Sequence, residues 1–351
     1  MPLDKLTKYN KDSFFLFKDD LYQLRYLFNS PKMMVDSLLK LPVINHNSLK
    51  QFLSLKTSFC KIKMYYREIE DGFWLLALYM NIKENLVTKS YYDKEVLSEY
   101  YLLTFSVFEY KFPVKDAAPI TLLSTCWTFS KPDTEISSYF YEGSNGKFFS
   151  FAITKEWASK NFTSKKFNNS KAIKKFLDGN KGSCTWLDIA PNAHELAKEL
   201  SEAIENVNAD ESANPGLKKK SMKLITEFFN NSFDDSRISD NVSLNNSDYH
   251  NVAKAEKIIL HNLHLPFIGI EAIAKEVNTS PTKLKSNFKT VFGFSMLRYH
   301  KEKNMVLAMQ LIQNSNIQIQ DISLLTGYDS ASRFSASFKK RFGQLPSEVR
   351  F

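Results

Sequence analysis

The sequence predicts an α+β fold in two domains, with strands in the first part and helices in the last hundred residues. A length of 351 residues suits roughly two domains of about 100–200 residues each. Apolar positions follow a strand period of two between about residues 60 and 190, and a helical period of 3.6 after about residue 192. The composition, 43% hydrophobic with 10 glycines and 11 prolines, is that of a globular protein and excludes collagen-like or wholly disordered chains.

The β-rich region spans about residues 60–190. Residues 73–80 are an apolar run of strand length, and residues 103–107 alternate between apolar and polar, as in a half-buried strand. Residues 136–141 and 147–153 flank Gly143-Ser144-Asn145-Gly146, a pattern that predicts a hairpin because glycine accepts a positive φ. We expect these strands to close into a barrel or a sandwich.

Helices complete the first domain. Thr154 is expected to cap a short helix over residues 155–161, with Trp157 facing inward. Helical periodicity at about residues 192–233 then predicts two helices joined by a short polar turn, a helical hairpin. Residues 234–251 are dense in Asp, Ser and Asn and predict a linker. The expected domains are therefore residues 1–233 and 252–351.

The second domain contains an internal repeat with a period of 49–50 residues. The repeat pairs Ile270 with Ile319, Ile273 with Ile322, Ala274 with Ser323, Asn278 with Gly327, Leu284 with Phe334, Phe288 with Phe338, Phe292 with Phe342 and Gly293 with Gly343. Each copy predicts a short helix, a residue that tolerates left-handed geometry, a second helix and a terminating glycine. This is the pattern of a helix-turn-helix motif. A connecting helix from about Ser295 to Asn314 is predicted between the copies.

Positive charge is concentrated in the same domain. Residues 250–351 hold 14 basic and 7 acidic side chains, whereas residues 1–249 hold 33 and 31. A basic module favours a polyanion, because binding releases counterions from phosphates. The predicted outer faces of the two second helices carry small, polar or basic side chains, namely Thr282, Lys285, Ser286 and Lys289 in the first copy and Ser332, Arg333, Ala336, Lys339 and Lys340 in the second. We take these nine as candidate DNA-binding residues.

Residues 252–351 resemble the DNA-binding domain of the AraC/XylS family of bacterial transcription regulators. The stretch GYDSASRFSASFKKRFGQLPSEVR, residues 327–350, is similar to that family's signature, with Gly327, Phe334, Phe338-Lys339, Phe342-Gly343 and Pro346-Ser347 at the expected spacing. The first copy departs from the pattern, since Asn278 replaces the usual turn glycine. Asn304 stands in the connecting helix where an arginine is customary.

The resemblance implies a sequence-specific regulator whose partner is double-stranded DNA. Each second helix would enter a major-groove segment on one DNA face, about 34 Å apart. Arg333 is expected to read a base directly, while Lys289, Lys339 and Lys340 are expected to contact phosphates. The buried residues of these helices, Leu284, Phe288, Phe334, Phe338 and Phe342, are expected to form the core.

The resemblance also implies that residues 1–233 sense a small-molecule effector, dimerise, or do both, with RNA polymerase as a further partner. A cupin-like barrel is expected there, and the chain is expected to form a homodimer. Its aromatic interior could hold an apolar or aromatic effector, or the rings could simply fill the core. The candidate pocket residues are Trp74, Tyr79, Phe105, Trp127, Phe149 and Phe151.

Two other functions are alternatives to the regulator. A metal-dependent cupin-type enzyme needs clustered histidines and a carboxylate, yet residues 1–249 contain only His46 and His194, far apart. His261 and His264 are close together but lack a third nearby ligand. A helix-turn-helix adaptor that binds an acidic protein would share the basic face.

No cofactor or metal and no catalytic residue is expected, since Gly-rich phosphate loops and the Gly-x-Ser-x-Gly motif do not occur in the sequence. Cys60, Cys126 and Cys184 are odd in number and widely spaced, which favours reduced thiols. With no apolar run long enough to span a membrane and no signal peptide, a cytoplasmic protein without a membrane partner is expected.

Overall fold

The structure is a computed structural model that describes residues 15–18, 21–41, 43–114, 117–140, 142–162, 182–188, 193–206, 215–231 and 246–350. The chain divides into two compact units. Unit 1 comprises Met1–Phe108 with Thr125–Asp235, and unit 2 comprises Glu109–Ser124 with Ser236–Phe351. Strands dominate the N-terminal region and helices the C-terminal region. The predicted α+β class with a β-rich N-terminal part and a helical C-terminal part is therefore confirmed.

The described strands number twelve. They are β1 (Phe15–Lys18), β2 (Leu21–Leu27), β3 (Ile44–Asn47), β4 (Phe52–Lys56), β5 (Cys60–Glu70), β6 (Phe73–Ile82), β7 (Leu86–Tyr91), β8 (Tyr100–Val114), β9 (Ala117–Ser130), β10 (Ser137–Phe140), β11 (Asn145–Thr154) and β12 (Ser183–Leu187). The strands expected at residues 73–80 and 103–107 are confirmed as parts of β6 and β8. The β-rich region also begins well before residue 60.

These strands form two sheets rather than one barrel. The order is β1-β2-β7-β10 in the first sheet and β12-β9-β8-β11-β6-β5-β4-β3 in the second. Strand β7 pairs in parallel with β2 and antiparallel with β10. It therefore lies in a different sheet from β6 and β8, its neighbours in the sequence. Both sheets are open at their ends among the described strands, and the expected cupin-like barrel is not confirmed.

The hairpin expected around residues 143–146 is wrong. Strand β10 pairs with β7 in the four-stranded sheet, whereas β11 pairs with β6 in the eight-stranded sheet. The turn bonds to the end of β6 instead: the Gly143 amide donates to the Ile82 carbonyl at 2.9 Å, and the Ile82 amide donates to the Ser144 carbonyl at 3.0 Å. These glycine-containing residues therefore carry the chain from one sheet to the other.

Within the described residues, four helices accompany the sheets, α1 (Pro31–Leu39), α2 (Lys155–Asn161), α3 (Ala193–Asn206) and α4 (Pro215–Asn231). The Thr154 hydroxyl accepts from the Trp157 amide at 3.2 Å, and Trp157 is buried, which confirms the predicted cap and the inward ring. Helices α3 and α4 pack together, as expected for the helical hairpin. Phe228 of α4 lies 4.9 Å from Trp127, measured between ring centroids, so this helix covers part of the sheet core.

Unit 2 contains the remaining described helices. They are α5 (Asn246–His261), α6 (Ile270–Glu276), α7 (Pro281–Phe292), α8 (Met296–Asn314), α9 (Ile319–Leu325), α10 (Ala331–Phe342) and α11 (Pro346–Val349). Helix α5 begins inside the range expected to be a linker, and residues 234–245 of that range lie outside the described residues. The connecting helix predicted between the repeats is confirmed as α8, with the Ser295 side chain as its N-cap.

Leu123 and Ser124, which belong to unit 2, contact the connecting helix α8. The Gln310 side chain donates to the Leu123 carbonyl at 2.6 Å and accepts from the Leu123 amide at 2.9 Å. Lys303, 1% exposed, donates to the Ser124 hydroxyl. Gln310 therefore satisfies both backbone groups of Leu123 within β9, as a neighbouring strand would. No described helix is long and apolar enough to cross a membrane.

Candidate nucleic-acid interface

The two copies of the repeat are two helix-turn-helix motifs, α6–α7 and α9–α10. The turn residues have left-handed backbone, with φ 54° at Asn278 and φ 79° at Gly327. In each turn a following amide donates back to the first helix, Thr279 to the Ala274 carbonyl at 3.0 Å and Tyr328 to the Ser323 carbonyl at 2.9 Å. Asparagine and glycine are the residues that adopt this conformation most readily, which is why the sequence could place both turns.

Each second helix has defined ends. The Ser280 hydroxyl accepts from the Lys283 amide at 3.3 Å, and the Ser330 hydroxyl accepts from the Arg333 amide at 3.4 Å. Left-handed glycines, Gly293 and Gly343, end α7 and α10. Side-chain caps and C-terminal glycines satisfy backbone groups at the helix ends that would otherwise lack partners. They fix where each helix begins and ends, and both helices are twelve residues long.

The inner faces of α7 and α10 are core. Leu284, Phe288, Phe334 and Phe338 are all at most 1% exposed, as expected. The ring of Phe342 is half-buried and lies 4.7 Å from Phe338 between centroids. Burial of these apolar positions four apart fixes which face of each helix points outward.

The structure exposes all nine candidate DNA-binding residues on the opposite faces. They are Thr282, Lys285, Ser286 and Lys289 on α7, and Ser332, Arg333, Ala336, Lys339 and Lys340 on α10. The Arg333 side chain is 75% exposed, and its guanidinium lies 3.6 Å from the Asp329 carboxylate, which is itself 84% exposed. An exposed pair of this kind is weak, so Arg333 can exchange it for another acceptor at little cost.

Helix α8 is joined to both motifs. Tyr299 packs against Phe288 and Phe292 of α7, with centroid distances of 5.4 and 4.9 Å. On the other side, the Asn304 side chain, 2% exposed, donates to the carbonyl of Thr326 at 3.2 Å. Asn304 therefore ties the connecting helix to the turn of the second motif.

Two ion pairs fix α7 and α10 further. Arg341 of α10 donates to the Glu302 carboxylate of α8 at 2.7 Å, and both side chains are about three-quarters buried, 24% and 28% exposed. Lys283 of α7 lies 2.7 Å from Asp248 of α5. Sequence reasoning missed these positioning residues, because opposite charges 35 or 39 positions apart carry no local signal.

The six aromatic residues proposed for an effector pocket mostly fill the core of unit 1. Phe105, Trp127, Phe149 and Phe151 are each 0% exposed. The rings of Phe105 and Trp127 contact each other, with centroids 4.6 Å apart and an interplanar angle of 41°. Trp74 and Tyr79 are half-buried. Unit 1 also contains a partly open cavity, and none of these six residues lines it.

The described residues contain no cluster of three or more His, Cys, Asp or Glu side chains that could hold a metal ion. Burial lowers the pKa of His261, and the charge of Lys257 adds to this effect. Burial also lowers the pKa of His300. Both shifts follow from the cost of desolvating a charged imidazole.

A sequence profile described as "Helix-turn-helix domain" matches residues 273–350. The chain is 35% identical over 81 residues to the virulence regulon transcriptional activator VirF of Yersinia enterocolitica, a match that covers 23% of this chain and 30% of VirF. It is 35% identical over 77 residues to the regulator ExsA of Pseudomonas aeruginosa, covering 22% of this chain and 28% of ExsA. The chain thus spans about a third of the length of these relatives.

A solved structure is also similar. It is a transcriptional regulator described as having an AraC-type DNA-binding domain, from Chromobacterium violaceum, with 27% identity and a TM-score of 0.28 over 30% of this chain and 94% of that one. The matched segment coincides with the two motifs and with the signature stretch of residues 327–350. Residues 273–350 of this chain therefore match a helix-turn-helix domain.

Proposed function

We propose that this protein is a transcription regulator that binds double-stranded DNA through the outer faces of α7 and α10. One observation carries the proposal: all nine polar, small or basic candidates are exposed on these faces, while Leu284, Phe288, Phe334 and Phe338 on the inner faces are at most 1% exposed. A pair of capped helices held by one connecting helix suits insertion into two successive major-groove segments, about 34 Å apart.

Within this interface, Arg333 reads a base and the lysines position the duplex. The Arg333 guanidinium is long, exposed and paired only weakly with Asp329, so it can present its donor fork to guanine. Lys289, Lys339 and Lys340 are exposed near the C-terminal ends of their helices, where point charges suit phosphates. On α7, Thr282, Lys285 and Ser286 contact bases, as Arg333 does on α10.

The excess of basic over acidic residues in the last hundred positions supports a polyanionic partner. An acidic protein would also be attracted, but it would not be expected to distinguish one duplex from another. Sequence selectivity in DNA binding therefore separates the regulator from an adaptor.

We propose that the N-terminal part senses an effector, mediates dimerisation, or does both. We also propose that the protein contacts RNA polymerase. The name of the relative VirF describes a transcriptional activator, and activation is the proposal for this chain too. We place the effector site in a cavity of unit 1, because Phe105, Trp127, Phe149 and Phe151 are fully buried in the core.

The test begins with duplexes selected from a random pool by the full chain. Binding isotherms on the selected and a scrambled duplex, at two salt concentrations, then compare Arg333→Ala with Lys340→Ala. Arg333→Ala is expected to lose about 5- to 150-fold on the selected duplex only, the equivalent of about 1–3 kcal/mol. Lys340→Ala is expected to weaken both duplexes alike and to reduce the salt slope by about one.

Lys50→Ala provides the matched control, since it removes the same charge from an exposed position in unit 1. It is expected to bind both duplexes as the unmodified protein does. Equal losses on both duplexes for Arg333→Ala would reject direct readout by this residue. Failure of the selection to enrich any sequence would reject the regulator itself.

A further inference from the structure

Unit 1 contains a partly open cavity of about 140 Å³. Helix α1, strands of the four-stranded sheet and strands of the eight-stranded sheet all contribute to its wall. The lining residues are Leu24, Tyr26, Phe28, Met34, Leu38, Ile44, Leu53, Ser54, Leu55, Ile62, Met64, Leu76, Leu78, Met80, Thr88, Leu102 and Ser150. Protein interiors are close-packed and leave few voids larger than a water molecule, so an opening of this size is unusual for a core.

The wall of the cavity carries no ionisable group that is charged at neutral pH. Apart from Ser54, Thr88, Ser150 and the phenol of Tyr26, every lining residue is aliphatic, Phe or Met. Burial raises the pKa of Tyr26 to about 12, so its phenol stays neutral. The Ser150 hydroxyl is already bonded to the Thr104 hydroxyl at 2.9 Å. A charged ligand would therefore lose its hydration without gaining a counter-charge.

The size of the cavity limits the ligand. An apolar cavity of about 150 Å³ stays dry and accepts benzene or xenon. Three of the lining residues, Met34, Met64 and Met80, are methionines, whose unbranched side chains adapt to ligands of different shape. The fit is to an uncharged molecule of roughly six to eight heavy atoms.

We propose that this cavity binds a small, uncharged, mainly hydrocarbon molecule of about the size of benzene. Such a molecule would contact both sheets and α1 at once, which is the placement that an effector needs to change how these elements pack. The assignment of the ligand as an effector rests on the proposed function. The binding site itself does not.

The test titrates benzene into the full chain and follows the thermal midpoint of unfolding and the binding isotherm by calorimetry. A ligand that binds the folded state alone raises the midpoint in a concentration-dependent way. Leu38→Phe places a larger ring at the cavity wall, whereas Leu39→Phe makes the same change at the next position of α1, which is also half-buried but does not line the cavity. Benzene should bind the unmodified protein and Leu39→Phe alike, and Leu38→Phe at least tenfold more weakly.

Equal benzene affinity for Leu38→Phe and Leu39→Phe would overturn the proposal, as would the absence of saturable binding to the unmodified protein. Xenon NMR on the unmodified protein provides a second measurement that needs no variant, and a single saturable xenon site is expected. Neither readout uses DNA. A protein that binds benzene but shows no selective DNA binding would refute the proposed function and leave this site standing.

Discussion

The turn of the second helix-turn-helix motif offers a sharp test, because its glycine is left-handed and unobstructed. Gly327 has φ 79°, and a Cβ added there would meet no atom within 4 Å. Gly327→Ala therefore introduces no clash, and its cost is the left-handed backbone alone, about 1–2 kcal/mol. This corresponds to roughly a 5- to 30-fold increase in the population of the opened motif.

The first motif supplies the rescuing residue. Asn278 occupies the equivalent turn with φ 54°, so Gly327→Asn should cost much less than Gly327→Ala. Gly72→Ala provides a contrast, since Gly72 also has a positive φ, 74°, but its added Cβ would lie 2.6 Å from the Thr154 hydroxyl oxygen. That variant combines backbone strain with a clash and should destabilise unit 1 by more.

Native-state hydrogen exchange of the amides in α9 and α10 measures the opening directly. Faster exchange is expected for Gly327→Ala, with most of the protection restored in Gly327→Asn. Equal protection in the unmodified protein and Gly327→Ala would refute the backbone assigned to this turn. Equal losses for Ala and Asn would refute the equivalence of the two turns.

Three further predictions concern the helices around this motif. Glu302→Ala removes the carboxylate to which Arg341 donates, so it should loosen α10 and weaken binding to selected and scrambled duplexes alike, as measured by hydrogen exchange and by binding isotherms. Unchanged exchange in α10 would contradict the positioning role. Gln310→Ala removes two hydrogen bonds to the backbone of Leu123 and should destabilise unit 2 by about 1–3 kcal/mol in urea denaturation. An unchanged free energy of unfolding would contradict the stabilising role of this contact. Burial lowers the pKa of His300, so below about pH 6.5 the unfolded chain binds more protons than the folded one, and the stability of unit 2 should fall. His300→Gln should flatten this fall, and an unchanged pH profile in the variant would exclude His300 as its source.

The sequence predicts the helical domain well because its determinants are local. Turn residues such as Asn278 and Gly327, caps such as Ser280 and Ser330, and apolar residues four apart each act within one turn of helix. Their repetition at a fixed period shows that the two motifs are equivalent. The outward faces follow once the inward faces are known.

The β-rich region is less predictable because strand partners are chosen by long-range packing. Nothing local separates Ser137–Phe140 from Asn145–Thr154, although the two strands join different sheets. The wall of the cavity likewise draws on residues between positions 24 and 150. The contacts of Lys303 with Ser124 and of Gln310 with Leu123 join residues 179 and 187 positions apart in the sequence. No local pattern in the sequence reveals such contacts.

Guanine N7 methylation interference on a selected duplex tests most directly whether α7 and α10 read DNA together. Methylation at N7 blocks contacts in the major groove. The full chain should show two groups of interfering guanines per bound protomer, on one face of the duplex and centred about 10 base pairs apart. A single group per protomer, or two groups on opposite faces, would contradict the account.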